Sequence, residues 1–337
     1  MATTASETGE DEGMKSKPFG HQRITRRHWL QAACRTGLSL GVSSAAAIAW
    51  PDGLAFARQS ESGDHRASFD AAELSSRASM SHAFSEPDWS TLDEGPRVRI
   101  KAVVDGDTVE LERGPDVRMV GTQAPKLPLG RDHVSEWPLA RDAKRLLEEL
   151  VAQGGVDAQL YFGGRRTDRH NRHLAHIVLD DAPGEPLWLQ GAMVLAGLAR
   201  VYTFADNRSL IPELMLREHV AREQRRAVWD HPYYAVRDAQ HTRDLLERTN
   251  HFELVEGVVR NVAAHRGRWY LNFGETWRED FTITIDREHD PVFEDSLFDL
   301  HALQGAPVRV RGWVVEDGGP MIRVDHPEAI ELLTTGG

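Results

Sequence analysis

Apolar and polar side chains alternate through residues 98–104 and again through residues 107–111, and Asp105 and Gly106 separate the two runs. A period of two is typical of a half-buried strand, and Asp-Gly between two such runs is a strong hairpin signal. The sequence therefore predicts an antiparallel pair of strands at this point, and the neighbouring segments have to pack around it.

The residues after this hairpin predict three more strands and three helices. The strands span residues 117–121, 156–162 and 173–179, and the helices span residues 138–153, 186–196 and 210–228. In the first helix the apolar residues, Leu147 among them, lie on one face. This order predicts the α+β class, with a small antiparallel barrel of five strands and three helices packed on it.

The chain has 337 residues and a net charge of -12, but its acidic residues are unevenly distributed. Residues 1–57 and 97–237 each have a net charge of +1, whereas residues 58–96 have -5 and residues 238–337 have -9. An acidic chain argues against a generic polyanion binder. This objection is weak for residues 97–237, where the charge is balanced and the positive charge is mostly arginine.

The length predicts two domains with tails, at about 100–200 residues per domain. The predicted segments are a signal peptide (residues 1–57), a flexible acidic linker (58–96), a barrel domain (97–237), a connector (238–250) and a second β-domain (251–337).

The first segment resembles a twin-arginine export signal. Arg26 and Arg27 precede an aromatic residue and a leucine, an uncharged stretch rich in small residues follows, and Ala55-Phe56-Ala57 offers a cleavage site. The uncharged stretch is too short to span a membrane. We therefore expect an exported protein, periplasmic or extracellular, with no membrane span in its mature form. An uncleaved amphipathic helix is the alternative.

Four stretches of residues 97–232 resemble the staphylococcal nuclease (thermonuclease) family in their order and composition. They are Val-Val-Asp-Gly-Asp-Thr-Val (103–109), Arg-Met-Val-Gly-Thr-Gln-Ala-Pro-Lys (118–126), Thr-Asp-Arg-His-Asn-Arg-His-Leu-Ala (167–175) and Gly-Leu-Ala-Arg-Val-Tyr (197–202). The resemblance implies an OB-fold barrel that hydrolyses phosphodiester bonds in DNA and RNA with Ca²⁺.

The resemblance also implies roles for five positions, of which two are changed. Asp107 is at the first metal-ligand position, and Arg118 and Arg172 are at the positions that bind the scissile phosphate. Gln123, however, replaces the second metal aspartate, and Lys126 replaces the glutamate that serves as general base.

Both replacements weaken the expected chemistry. Gln123 retains a neutral oxygen for a cation but loses the charge that calcium prefers. Lys126 cannot accept a proton from water at neutral pH unless its pKa falls strongly, and loss of a general base costs about 10²–10⁴ in rate. Asp105, Asp132 and Glu136 are candidates for a substitute carboxylate.

The C-terminal third predicts a second, smaller OB-like barrel. Strand patterns at residues 252–259, 269–273, 281–285, 307–315 and 321–324 surround a short helical segment at residues 291–303. Aromatic residues and arginines could bind a single strand here. The net charge of -9 for residues 238–337 instead favours a structural role or contact with a protein partner.

Three functions therefore remain open. The first is an exported metal-dependent nuclease with a diverged site. The second is a catalytically inactive module that binds DNA, RNA or another phosphate. The third is a periplasmic scaffold or interaction protein that has kept only the fold. The oligomeric state cannot be read from the sequence.

Overall fold

The computed structural model describes residues 87–130, 135–180, 186–276 and 278–333. The predicted signal peptide and most of the predicted linker lie outside these residues. Within them, no helix has the length and apolar character needed to cross a bilayer.

The first half of the described chain contains eight strands and three helices. The strands are β1 (Asp93–Asp105), β2 (Thr108–Leu111), β3 (Val117–Met119), β4 (Thr122–Gln123), β5 (Asp157–Phe162), β6 (His173–Leu179), β7 (Leu187–Trp188) and β8 (Arg200–Val201). The helices are α1 (Ala140–Gly154), α2 (Leu189–Leu195) and α3 (Ile211–Glu223). The predicted α+β class with three helices is confirmed.

Five of these strands form a closed barrel. The strand order is β3-β2-β1-β5-β6, and parallel pairing of β3 with β6 closes the ring. The prediction of an antiparallel barrel is therefore wrong at one pair. A closed ring with an odd number of strands cannot alternate in direction everywhere, so one neighbouring pair has to be parallel. β7 extends the sheet beyond β6, and β4 pairs separately with β8.

The observed bounds of two elements differ from the bounds that the sequence predicts. β1 begins at Asp93, inside the stretch predicted as linker, because Trp89 just before it packs against Tyr161 and Trp188. α3 ends at Glu223, short of the predicted residue 228, because Arg225 has a φ of 50°, which a helix does not allow.

Helix α1 packs on the barrel and against the turn between β1 and β2. Ala143, Leu147 and Leu150 are buried on its inner face. The contact is closest at Gly106, where an added Cβ would lie 2.7 Å from the Cβ atoms of both Ala124 and Ala143. Only glycine allows this approach, which fixes the hairpin turn against the helix.

The second half of the described chain contains eight strands and two short helices. They are β9 (Arg237–Asp238), α4 (Thr242–Leu246), β10 (Phe252–Val258), β11 (Asn261–His265), β12 (Arg268–Asn272), β13 (Thr282–Asp286), α5 (Asp290–Asp295), β14 (Pro307–Glu316), β15 (Pro320–Arg323) and β16 (Ile330–Leu332). The predicted connector contains α4.

These eight strands form a single sheet with the order β11-β12-β13-β15-β14-β10-β9, and β16 also pairs with β14. Only Val259 and Arg260 separate β10 from β11. If β10 and β11 are taken as one bent strand, the strands of this sheet follow one another in the same order as the strands of the first barrel. The one parallel pair of that barrel, β3 with β6, then corresponds to the parallel pair β13 with β15. The sheet has its own apolar core, which includes Phe273, Phe281 and Ile283.

Buried ion pairs join α3 of the first barrel to β14 and β16 of the second sheet. Arg311 on β14 is 1% exposed and donates to Glu218 of α3 at 2.7 Å and to Glu331 of β16 at 2.5 Å. It also donates to the carbonyl of Val201 at 3.0 Å. The C-terminal sheet is thus packed on the barrel through a charge network.

Candidate functional site

The turn between β1 and β2 places Asp107 inside the barrel, where its side chain is 0% exposed. Asp105 at the end of β1 accepts a hydrogen bond from the amide of Gly106 at 2.7 Å, which shapes the turn. The carbonyl of Asp107 accepts from the amide of Met119 on β3 at 2.9 Å. The aspartate at the predicted first metal position is therefore held by backbone contacts on both sides.

Both carboxylate oxygens of Asp107 have partners within the protein. Oδ2 accepts from Nζ of Lys126 at 2.6 Å and from the amide of Ala124 at 2.8 Å, and it pairs with Nη1 of Arg118 at 3.0 Å. Oδ1 accepts from the hydroxyl of Thr108 at 3.2 Å. A buried carboxylate needs such partners to remain ionised.

Arg118 on β3 makes several contacts in this arrangement. Besides its ion pair with Asp107, its guanidinium donates to the carbonyls of Asp107, Met119 and Thr122 at 3.2, 3.1 and 2.8 Å. Its side chain is only 12% exposed. The arginine at the predicted phosphate-binding position thus links β3 to the turn.

Lys126 lies between two carboxylates. In addition to its contact with Asp107, its Nζ is 3.5 Å from Oδ2 of Asp105. Asp105, Asp107, Arg118 and Lys126 together form a cluster, called the Asp107 cluster below, in which two negative and two positive charges balance. Asp105, which the sequence offered only as a candidate substitute carboxylate, is the second anion of this cluster.

The environment shifts the pKa values of three members of the cluster. Burial acts to raise the pKa of Asp107, but Arg118 and Lys126 outweigh it and hold that pKa below its usual value. Burial raises the pKa of Asp105, with Lys126 opposing the shift. Burial lowers the pKa of Lys126, with Asp107 opposing it. Asp107 is therefore the firmly ionised anion of the cluster.

Gln123 is turned away from Asp107. Its Oε1 accepts from Nη2 of Arg200 at 3.1 Å, and the same nitrogen donates to the carbonyl of Phe252 on β10 at 3.0 Å. The Arg200 guanidinium also lies over the rings of Phe252 and Tyr234. The second predicted metal ligand thus connects the barrel to the C-terminal sheet.

Arg200 is the member of the site that sequence reasoning missed. A signal was present, since this arginine lies between Ala199 and Val201, which are both fully buried. A charged residue in such a run needs buried partners.

The ion pair of Arg172 is with Asp168, which is not a member of the Asp107 cluster. Its Nε and Nη2 donate to Oδ2 of Asp168 at 2.9 and 2.7 Å. The other oxygen of Asp168 accepts from the amides of His170 and Arg172, so the aspartate holds the turn. Among the hydrogen bonds of the described residues, none links Arg172 to Asp107.

The residues of the cluster do not fit calcium, which takes six to eight oxygen ligands at 2.3–2.6 Å. Only Asp105 and Asp107 supply carboxylates, and Lys126 contacts both. Within the described residues no group of three or more His, Cys, Asp or Glu side chains converges on one point. Of the candidate substitutes, Glu136 pairs with Arg141, and Asp132 lies outside the described residues.

The closed five-stranded barrel and its three helices define a nuclease-like OB-fold domain. Residues 116–231 match the model of the family described as Staphylococcal nuclease homologue. This segment is about a third of the chain; it includes Arg118, Gln123, Lys126 and Arg172 and begins after Asp107. No curated protein matches the chain.

The family match and the barrel support an SNase-like domain, and such a domain indicates a nuclease-type function and binding of nucleic acid.

Proposed function

We propose that this chain binds nucleic acid through its SNase-like domain and does not hydrolyse it with a metal ion. The observation that carries the proposal is the contact of 2.6 Å between Nζ of Lys126 and Asp107. The position of the expected base holds a proton donor, and that donor is directed at the expected metal ligand.

Hydrolysis of a phosphodiester requires a base for the attacking water and positive charge at the phosphate. Here the base is replaced by Lys126. The two arginines of the motif are paired with Asp107 and Asp168, so a phosphate would have to displace a carboxylate at each of them. Within the described residues, the barrel therefore has a proton donor, Lys126, at the position where hydrolysis needs a base.

Binding requires only a surface with exchangeable positive charge, and the loop between β5 and β6 supplies one. Arg165, Arg166 and Arg169 are exposed in this loop. Arg165 and Arg166 pair with the exposed carboxylates of Asp206 and Asp93. Exposed pairs of this kind contribute little to stability, so phosphate groups can replace the carboxylates.

The test uses the full chain with labelled single-stranded and duplex DNA and RNA, in calcium or in a chelator. We expect binding that the chelator does not change and no shortening of the strands. Replacing Arg165, Arg166 and Arg169 with Gln should lower the salt dependence of binding to single strands. The log-log slope should fall by about 0.7 for each phosphate that the variant no longer neutralises.

The matched control replaces three arginines elsewhere in the domain, Arg113, Arg141 and Arg145, with Gln. Metal-dependent cleavage that Arg118→Ala abolishes would instead establish the nuclease. The absence of both binding and cleavage would favour a scaffold.

The sequence of residues 1–57 supports a second proposal, that the protein is exported in the folded state. In a bacterium with a twin-arginine translocase, Arg26→Lys with Arg27→Lys should leave the precursor in the cytoplasm. The pair Arg23→Lys with Arg35→Lys, which lies outside the motif, should be exported normally. Equal export of the two variants would contradict the proposal.

A further inference from the structure

We infer that the Lys126 ammonium takes the place of the divalent cation in the SNase-like domain, so that the barrel is complete without calcium. The inference deepens the proposed function at the same site, but it concerns the cation alone. It holds or fails without any nucleic acid being present.

The first support is the contact that Lys126 makes. Its Nζ reaches the same oxygen of Asp107 that Arg118 pairs with, at 2.6 Å, and it lies 3.5 Å from Asp105. A metal ion at Asp107 would bind that oxygen too. Because the amide of Ala124 also donates to it, the oxygen has no remaining direction open for a metal ion.

The second support is the charge of the cluster. Two carboxylates and two cations cancel, and the side chain of Asp107 is fully buried. A calcium ion added here would bring two positive charges next to Arg118 and Lys126 with no anion left to balance them. Repulsion between charges a few ångströms apart is strong in a buried site.

The third support is Gln123, which is independent of the lysine. Its oxygen, the other ligand that the family pattern expects, accepts from Arg200 at 3.1 Å. Arg200 is itself held by the carbonyl of Phe252 in the C-terminal sheet. To bind a cation, Gln123 would have to take one of two acceptors away from a buried guanidinium, which is costly.

The inference predicts a gain of binding when the ammonium is removed. Lys126→Met keeps the length and apolar stem of the side chain and leaves Asp105, Asp107 and Arg118 with a net charge of -1. Arg118 is then the one remaining cation for two carboxylates, and a divalent ion relieves their repulsion. Lys126→Arg keeps the charge and should behave like the natural protein.

The experiment measures thermal unfolding and calcium titration calorimetry of the full chain, without nucleic acid. For the natural protein we expect the same Tm in calcium and in chelator and no saturable heat. For Lys126→Met we expect a lower Tm in chelator, a rise in Tm with calcium, and a saturable isotherm in the millimolar range. Lys101→Met is the control, because Lys101 forms an exposed pair with Glu110 in the same hairpin.

Two results would overturn the inference: a calcium-dependent rise in the Tm of the natural protein, or a folded Lys126→Met variant that takes up no calcium. If Lys126→Met does not fold in chelator, recovery of folding with calcium supports the inference. If calcium does not restore folding, the inference is tested by the Tm values of the natural protein and of Lys126→Arg, which should be the same in calcium and in chelator. If the protein shows the expected calcium behaviour but binds no nucleic acid, the proposed function is refuted and this inference stands.

Discussion

At the scale of single residues, the two changed positions of the motif have acquired new partners. Lys126 and Gln123 are the residues that the sequence marks as departures from the family pattern. Lys126 is partly buried against Asp107, and Gln123 is buried against Arg200. The sequence predicts that a lysine here opposes calcium, since that follows from charge alone. It does not predict the link from Gln123 to Arg200, because the two residues are 77 positions apart.

We expect Arg118 to stabilise the fold through its hydrogen bonds as well as to balance the charge of Asp107. Arg118→Met removes one of the two cations that balance Asp107 and three hydrogen bonds to backbone carbonyls. We expect the free energy of unfolding to fall by about 3 kcal/mol, as when one partner of a buried pair is removed. Urea unfolding measures this, with Arg113→Met on the exposed β2–β3 turn as control. A loss no larger than that of the control would mean that the ion pair contributes nothing.

His176 predicts a dependence of stability on pH. Burial lowers the pKa of this histidine to about 3, against about 6.5 in an unfolded chain. As the pH falls below 6.5 the unfolded chain takes up a proton that the folded chain does not, so stability falls until the pH reaches the folded pKa.

Between pH 7 and pH 5 this histidine should account for about 2 kcal/mol of lost stability. His176→Leu should remove that part of the loss, as measured by urea unfolding at both pH values. His170→Leu, which removes an exposed histidine, is the control. An unchanged pH dependence in His176→Leu would show that the imidazole is accessible to protons in the folded state.

At the scale of elements, the sequence predicts the strands and helices well where one face is buried. β5 and β6 match the patterns at residues 156–162 and 173–179 within one residue. β3 is shorter than its pattern, since Gly121 has a φ of 77° that ends the strand after Met119. Such a turn depends on the packing of α3 beside it and not on the alternation.

The turn between β1 and β2 is expected to tolerate no side chain at Gly106. Gly106→Val would place its Cβ 2.7 Å from two other Cβ atoms and push the turn away from α1. We expect a loss of about 3 kcal/mol from this overpacking. At Gly114 the same substitution meets no atom within 4 Å and costs only the strain of its positive φ, about 1–2 kcal/mol. Equal losses at the two glycines would argue against close packing of the hairpin on the helix.

At the scale of the whole molecule, the sequence predicts two β-rich halves but not the way in which they are joined. In the sequence, the arginine and glutamates at the junction look like ordinary surface residues, because charged side chains are seldom fully buried. Only the fold brings Glu218, Arg311 and Glu331 together. The charge of -9 in residues 238–337 therefore includes carboxylates that are internal partners and not a surface for binding.

This junction predicts that the two halves unfold together. Burial acts to lower the pKa of Arg311, but Glu218 and Glu331 outweigh it and raise that pKa, so the arginine stays charged inside the junction. Arg311→Met leaves both glutamates without this partner and the carbonyl of Val201 without its donor. We expect a loss of about 3–5 kcal/mol, and we expect the single unfolding transition of the natural protein to separate into two.

Tryptophan fluorescence and circular dichroism during urea unfolding measure both effects, because tryptophans lie in each half of the chain. Arg323→Met is the matched control, since Arg323 is 60% exposed and its pair with Asp317 spans 3.6 Å. That variant should lose no more than about 1 kcal/mol and should keep one transition. Two transitions in the natural protein would mean that the buried charges hold the sheets in place without coupling their unfolding.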